Sequence, residues 1–163
     1  MFEKGNFVVN ANNGICEISD IVTMDMSGTK KEYYVLIPIE EKTAKIYIPV
    51  DVAEKRIRPS LKKEDALKLM KEIHAIDGVF VENEKEREKI YKEAINSRDP
   101  KRLISIVKTL YARRKKRVEE GKKGTAVDDR YFKLAENHLH SELAFALDVE
   151  KSEVGKIIET YVK

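Results

Sequence analysis

The sequence has no tryptophan, one cysteine, four prolines, seven glycines and three histidines among 163 residues. A lone cysteine cannot close an internal disulfide. Cys16 stands between apolar neighbours, where it reads as a small buried hydrophobe suited to a reducing cytoplasm. The few histidines offer little to a metal: His74 is remote in sequence, and His138 and His140, two apart on an expected helix, point to different sides. No apolar run approaches the roughly 18 residues that a membrane span needs, and Met1 to Gly5 lacks the basic-then-apolar order of a secretory signal. Neither a glycine-rich phosphate loop nor a nucleophile elbow occurs, and the adjacent Glu40 and Glu41 read as a solvated turn. The expectation is a soluble cytoplasmic protein that is not an enzyme, with no metal, no cofactor, no small-molecule substrate and no membrane partner.

Charge, by contrast, is abundant at 37% of residues, and it is unevenly placed. Residues 1–60 hold 8 Lys/Arg against 9 Asp/Glu, whereas residues 98–124 hold 11 against 3. A patch that dense can attract a polyanion even though the whole chain carries a net charge of only +3. Its centre is Arg113-Arg114-Lys115-Lys116-Arg117, followed by Lys122 and Lys123. Cations at a helix C-terminus offset the negative end of its dipole, which accounts for one or two of these residues but not for the run. Phosphate-backbone binding is the better reading; nothing in the run implies base-specific recognition.

Two periodicities divide the chain near Pro59. Before it, Phe7-Val8-Val9, Ile15 to Ile21, Tyr33 to Ile37 and Lys45 to Val50 read as short strands, separated by turn chemistry at Asn10 to Gly14 and Ser27-Gly28-Thr29. Ile46, Ile48 and Val50 share one face of the last run, and Lys45, Tyr47 and Pro49 the other. Pro38 is expected to stop the third strand or push it to an edge. Tyr33, Tyr34 and Tyr47 are too much aromatic area for so small a domain to bury fully, so some of it is expected to be exposed.

After Pro59 the spacing becomes helical. Ser60 is expected to cap a helix over 61–73, followed by a helix over 84–96 with Ile90, Tyr91, Ala94 and Ile95 inward. Asp99-Pro100 is the clearest start signal, an N-cap with proline at the first helical position; that helix should bury Leu103, Ile106, Val107, Leu110 and Tyr111. A further helix is expected from about Asp128 to Leu147, and a last one after Asp148. The predicted fold is α+β: a small antiparallel β domain over 1–59, a compact sheet or barrel, then a bundle of about five helices over 60–163.

Several ordered motifs are familiar. Phe2-x-x-Gly5-Asn6-x-Val8-Val9, Asn13-Gly14-Ile15-Cys16-x-Ile18, Glu32 to Leu36 and Tyr47-Ile48-Pro49-Val50 resemble the CarD/CdnL family of bacterial transcription regulators. The N-terminal module of that family also occurs in transcription-repair coupling factors. Ser97-Arg98-Asp99, Val107-Lys108-x-Leu110-Tyr111 and Ser141-Glu142-Leu143-Ala144-x-Ala146-Leu147-Asp148 extend the resemblance through nearly the whole chain, which favours a whole CarD-like protein over a coupling-factor fragment.

The resemblance implies a Tudor-like (SH3-like) β domain docking on the RNA polymerase β subunit. It also implies a helical domain on double-stranded promoter DNA at the upstream edge of the bubble, which modulates open-complex stability. Carried over, the polymerase-binding residues are Met24, Lys45, Tyr47, Ile48 and Pro49. Met24 and Tyr47 stand where relatives often carry arginine, which makes this contact more apolar. The DNA-binding set is Lys89 and Arg113 by resemblance, with Arg87, Arg114, Lys115 and Lys116 added from charge. Relatives commonly place an Asn-Trp pair before the second helix, the ring acting as a wedge in the minor groove. Here the pair is Asn83-Glu84, an acid where an apolar side chain is needed; Phe80 is the nearby aromatic substitute. The alternative is an adaptor that binds polymerase without touching DNA.

Overall fold

The computed structural model describes residues 1–79 and 81–162, with side chains through residue 160. It divides into two compact units, Met1–Ser60 and Leu61–Lys163.

The first unit is a five-stranded antiparallel sheet of Tudor-like order β4-β3-β2-β1-β5. Its strands are β1 (Phe7–Asn10), β2 (Gly14–Met26), β3 (Thr29–Pro38), β4 (Ile46–Pro49) and β5 (Ile57–Pro59), with a one-turn helix α1 (Ala53–Arg56) before β5. The β1–β2 reversal closes where the Asn13 N–H donates to the Asn10 carbonyl, at 3.2 Å, and Gly14 takes a φ of 68°. At the β2–β3 reversal Met26 pairs with Thr29, leaving a two-residue loop of Ser27 and Gly28 at φ 55° and 78°. Positive φ at both central positions is the geometry that matches strand twist and favours Asn-Gly. Serine pays a steric cost there, so Ser27→Asn is expected to stabilise the first unit by about 0.5–1 kcal/mol, read from its urea midpoint.

β3 is interior, not an edge strand. Pro38 is accommodated because pairing with β4 ends at Leu36, so no N–H is needed on that side. Val8, Cys16, Ile18, Tyr34, Leu36, Ile48, Ala53 and Ile57 form the core, with Phe2, Ile46 and Val50 against it. Phe2 meets the Tyr34 ring edge-on at 5.9 Å, and its N–H donates to the Tyr34 hydroxyl. Burial pushes the Cys16 thiol up to about 11, so it is held as an unreactive hydrophobe.

The second unit contains α2 (Lys63–Glu72), α3 (Arg87–Asn96), α4 (Pro100–Glu119), α5 (Ala126–Leu147) and α6 (Val154–Val162). α2 starts later than expected and is not capped by Ser60. The Ser60 N–H donates to the Phe7 carbonyl of the first unit, and Leu61 N–H donates to the buried Glu142 carboxylate at 2.9 Å. At the other end of α2, the Lys108 ammonium donates to the carbonyls of Ile73 and Ile76 and satisfies acceptors the helix leaves open. Asp99 caps α4 by accepting from the Lys101 N–H at 3.0 Å, with Pro100 in the first turn. Thr125 caps α5 by accepting from the Asp128 N–H at 3.1 Å.

Two clusters hold this unit together. Ala66, Leu69, Met70 and Ile73 of the α2 segment meet Ile104, Leu139, Leu143 and Val154. Tyr91, Ala94, Ile95, Leu103, Ile106 and Leu110 meet Tyr131 and Ala135. α5 supplies residues to both and is the spine of the unit. Tyr111 departs from the expected pattern: it is 62% exposed, and Ile104 is buried instead. No helix among the described residues is long and apolar enough to cross a membrane.

Candidate interaction surfaces

In the first unit, strand register decides which residues share a face, because directly opposed residues in an antiparallel pair point the same way. Met24 opposes Lys31, Val22 opposes Tyr33, Tyr33 opposes Pro49 and Val35 opposes Tyr47. Alternation along β3 therefore puts Met24, Tyr47 and Pro49 on one face with Val22 and Tyr33. Tyr34, Leu36 and Ile48 occupy the opposite, core-lining face. Among the expected polymerase-binding residues, Ile48 is corrected on this ground: it is fully buried and its side chain cannot meet a partner. Lys45 is exposed but precedes β4, which begins at Ile46. Tyr47, 45% exposed on an edge strand, is the most prominent member of the face. Tyr33, noted in the sequence only as aromatic area, joins this face through its pairing with Pro49, whereas Val22 was missed because its placement depends on a register shift between Ile18 and Asp20.

In the second unit the basic residues separate into two groups. Arg87 and Arg113 are engaged by acids of their own unit. Asn83 accepts from the Lys85 N–H and starts a tight turn over Glu84–Glu86 that leads into α3. Three residues on, Arg87 forks onto the Glu84 carboxylate, with Nη2 to Oε1 at 2.6 Å and Nε to Oε2 at 2.8 Å. Arg113, from α4, donates through Nε to Asp128 Oδ2 at 2.6 Å and lies 3.6 Å from Glu84 Oε1 through Nη1. Tyr91 links the two: its hydroxyl accepts from Arg87 Nη1 at 3.0 Å and contacts Asp128 Oδ1 at 3.3 Å. Hydrogen bonding to Arg87, aided by the positive charge of Arg87 and Arg113, lowers the Glu84 carboxyl to about 2, and the same hydrogen bond raises the Arg87 guanidinium. Burial chiefly raises the Tyr91 phenol, so it stays protonated and able to donate.

Arg87 and Arg113, expected to contact DNA, are thus already engaged by acids of their own unit. Glu84 is no wedge; its carboxylate is bound to these arginines. Phe80 lies outside the described residues.

The second group points outward. Arg114, Lys115 and Lys116 are exposed on α4, Lys89 is exposed on α3, and none of the four has an ion pair among the described residues. Tyr111 and Val118, each 62% exposed, lie seven residues apart on α4 and so share a side with Arg114 and Lys115. The result is a stripe in which two apolar side chains bracket two free cations. Helical periodicity alone did not reveal it, because Tyr111 follows directly on the buried Leu110.

Two family models match the chain, one for each unit. The model for the CarD-like/TRCF RID domain matches residues 2–61, and that for the CarD C-terminal domain matches residues 68–159. The chain belongs to the CarD family. CarD proteins are RNA polymerase-interacting, non-enzymatic transcription regulators, so the two surfaces described above lie on a known type of transcription factor. A search of the curated proteins finds no match.

Proposed function

We propose that this CarD protein binds the RNA polymerase β subunit through the outer face of its sheet and grips double-stranded promoter DNA with its helical unit. The DNA contact lies at the upstream edge of the transcription bubble and modulates open-complex stability. Met24, Tyr47 and Pro49 form the polymerase contact, with Lys45 at its margin; Lys89, Arg114, Lys115 and Lys116 contact phosphates without reading sequence. The observation that carries the reading is the separation of the basic residues, which leaves an unpaired cationic stripe on a family of polymerase-interacting regulators. Attachment to polymerase raises the local DNA concentration, so a few phosphate contacts suffice once the complex has formed.

The polymerase half is tested with the full chain and purified β-subunit lobe. Tyr47→Asp is expected to weaken binding about tenfold or more, because exposed tyrosines at contact centres commonly dominate interface energy. The folded state should be unaffected, since the ring lies outside the core. Equal binding by Tyr47→Asp and the unaltered protein would remove this face as the anchor.

A further inference from the structure

Glu84 sits at the mouth of the arginine network. Its carboxylate binds both nitrogens of the Arg87 fork at 2.6 and 2.8 Å and reaches Arg113 at 3.6 Å. Its side chain is 66% exposed, so an incoming anion can reach the same place. Asp128 differs: its side chain is 9% exposed, and it holds Arg113 from behind at 2.6 Å. Arg87 is likewise held by the Tyr91 hydroxyl at 3.0 Å. Both guanidinium groups are therefore fixed from the inner side by buried partners and closed on the outer side by one solvent-facing acid.

A carboxylate and a phosphate bind the guanidinium fork in the same way. We infer that Glu84 is an internal substitute for a DNA phosphate, occupying Arg87 and Arg113 so that the helical unit binds fewer phosphates than its basic residues would allow. This rests on the DNA-binding reading proposed above and makes Glu84 the residue that sets the strength and salt dependence of that grip. Because the Glu84 carboxyl is lowered to about 2, it remains charged at any physiological pH. Protonation cannot release the arginines; displacement by a competing phosphate, or loss of the charge by substitution, can.

The test is duplex DNA binding by the full chain across a salt series, comparing the unaltered protein with Glu84→Gln and Glu84→Ala. Both variants are expected to bind about five- to tenfold tighter at low salt. The log–log salt slope should steepen by about 0.9 for each arginine that gains a phosphate. Arg87→Ala should cost little DNA affinity while Glu84 is present but reverse much of the gain in Glu84→Gln, a coupling between the two sites that a general change of charge would not give. An unchanged or shallower slope in both Glu84 variants, with Arg114, Lys115 and Lys116 still needed for DNA binding, overturns the inference and leaves Glu84 as a staple at the start of α3. If replacing Arg114, Lys115 and Lys116 does not weaken DNA binding, the DNA reading itself fails, and this inference with it.

Discussion

Asp128→Ala is expected to destabilise the helical unit by about 2–3 kcal/mol, the largest single-residue effect proposed for this protein. The carboxylate is buried at the third position of α5 and engages two neighbouring helices, Arg113 of α4 at 2.6 Å and Tyr91 of α3 at 3.3 Å. Its removal leaves the arginine and the phenol without their shared acceptor. Breaking a fully buried pair costs roughly 3–5 kcal/mol; Arg113 is partly exposed, so water recovers some of the loss. For a unit of this size the change corresponds to roughly 8–20 °C in the unfolding midpoint, followed by helical circular dichroism. Asp128→Asn, which keeps an acceptor but not the charge, should fall between the two. An unshifted midpoint for Asp128→Ala would mean that α3, α4 and α5 are held by their apolar cluster alone.

The Arg113–Asp128 pair also shows why the pairing of the basic residues was only half legible in the sequence. Charge density singled out the distal half of α4 and its following loop as the proposed DNA-binding region. It could not tell which cations are free, because that depends on acids brought in by folding. Asp128 lies 15 residues beyond Arg113, and Glu84 lies on the far side of α3 in sequence. Local signals succeeded at a helix start and a strand face, though not at Arg87, whose partner Glu84 lies only three residues away. Asp99-Pro100 start α4 through a bond from Lys101, and Ile46 and Ile48 turn to one face because alternation is built into a strand. Ser60 had an equally plausible local signature, but its backbone continues the pairing with β1 through the bond to the Phe7 carbonyl, 53 residues earlier, and the helix starts only after Lys62. Tyr47 was legible from alternation; Ile48 entered the site only by carrying over a contiguous motif, and adjacent strand residues cannot both face outward.

Replacing Arg114, Lys115 and Lys116 together with alanine is expected to abolish most of the DNA affinity of the helical unit while leaving polymerase binding intact. Each phosphate contact contributes about 0.9 to the log–log salt slope, so three lost contacts should flatten it by about two to three. Over a fourfold rise in salt, those contacts alone account for on the order of a fortyfold fall in affinity, a fall the variant would no longer show. The three side chains are exposed and have no ion pair among the described residues, so folding loses little beyond the dipole compensation that cations give the end of α4, about 0.3–1 kcal/mol. Sequence independence follows from the same picture: scrambling the duplex should change affinity far less than doubling the salt does. The decisive comparison is between free DNA and a polymerase–promoter complex. A loss in both identifies the stripe as a DNA grip. Unaltered promoter complexes with the triple variant would instead favour a protein-interaction adaptor, its helical unit binding another protein and its basic run a solvated surface.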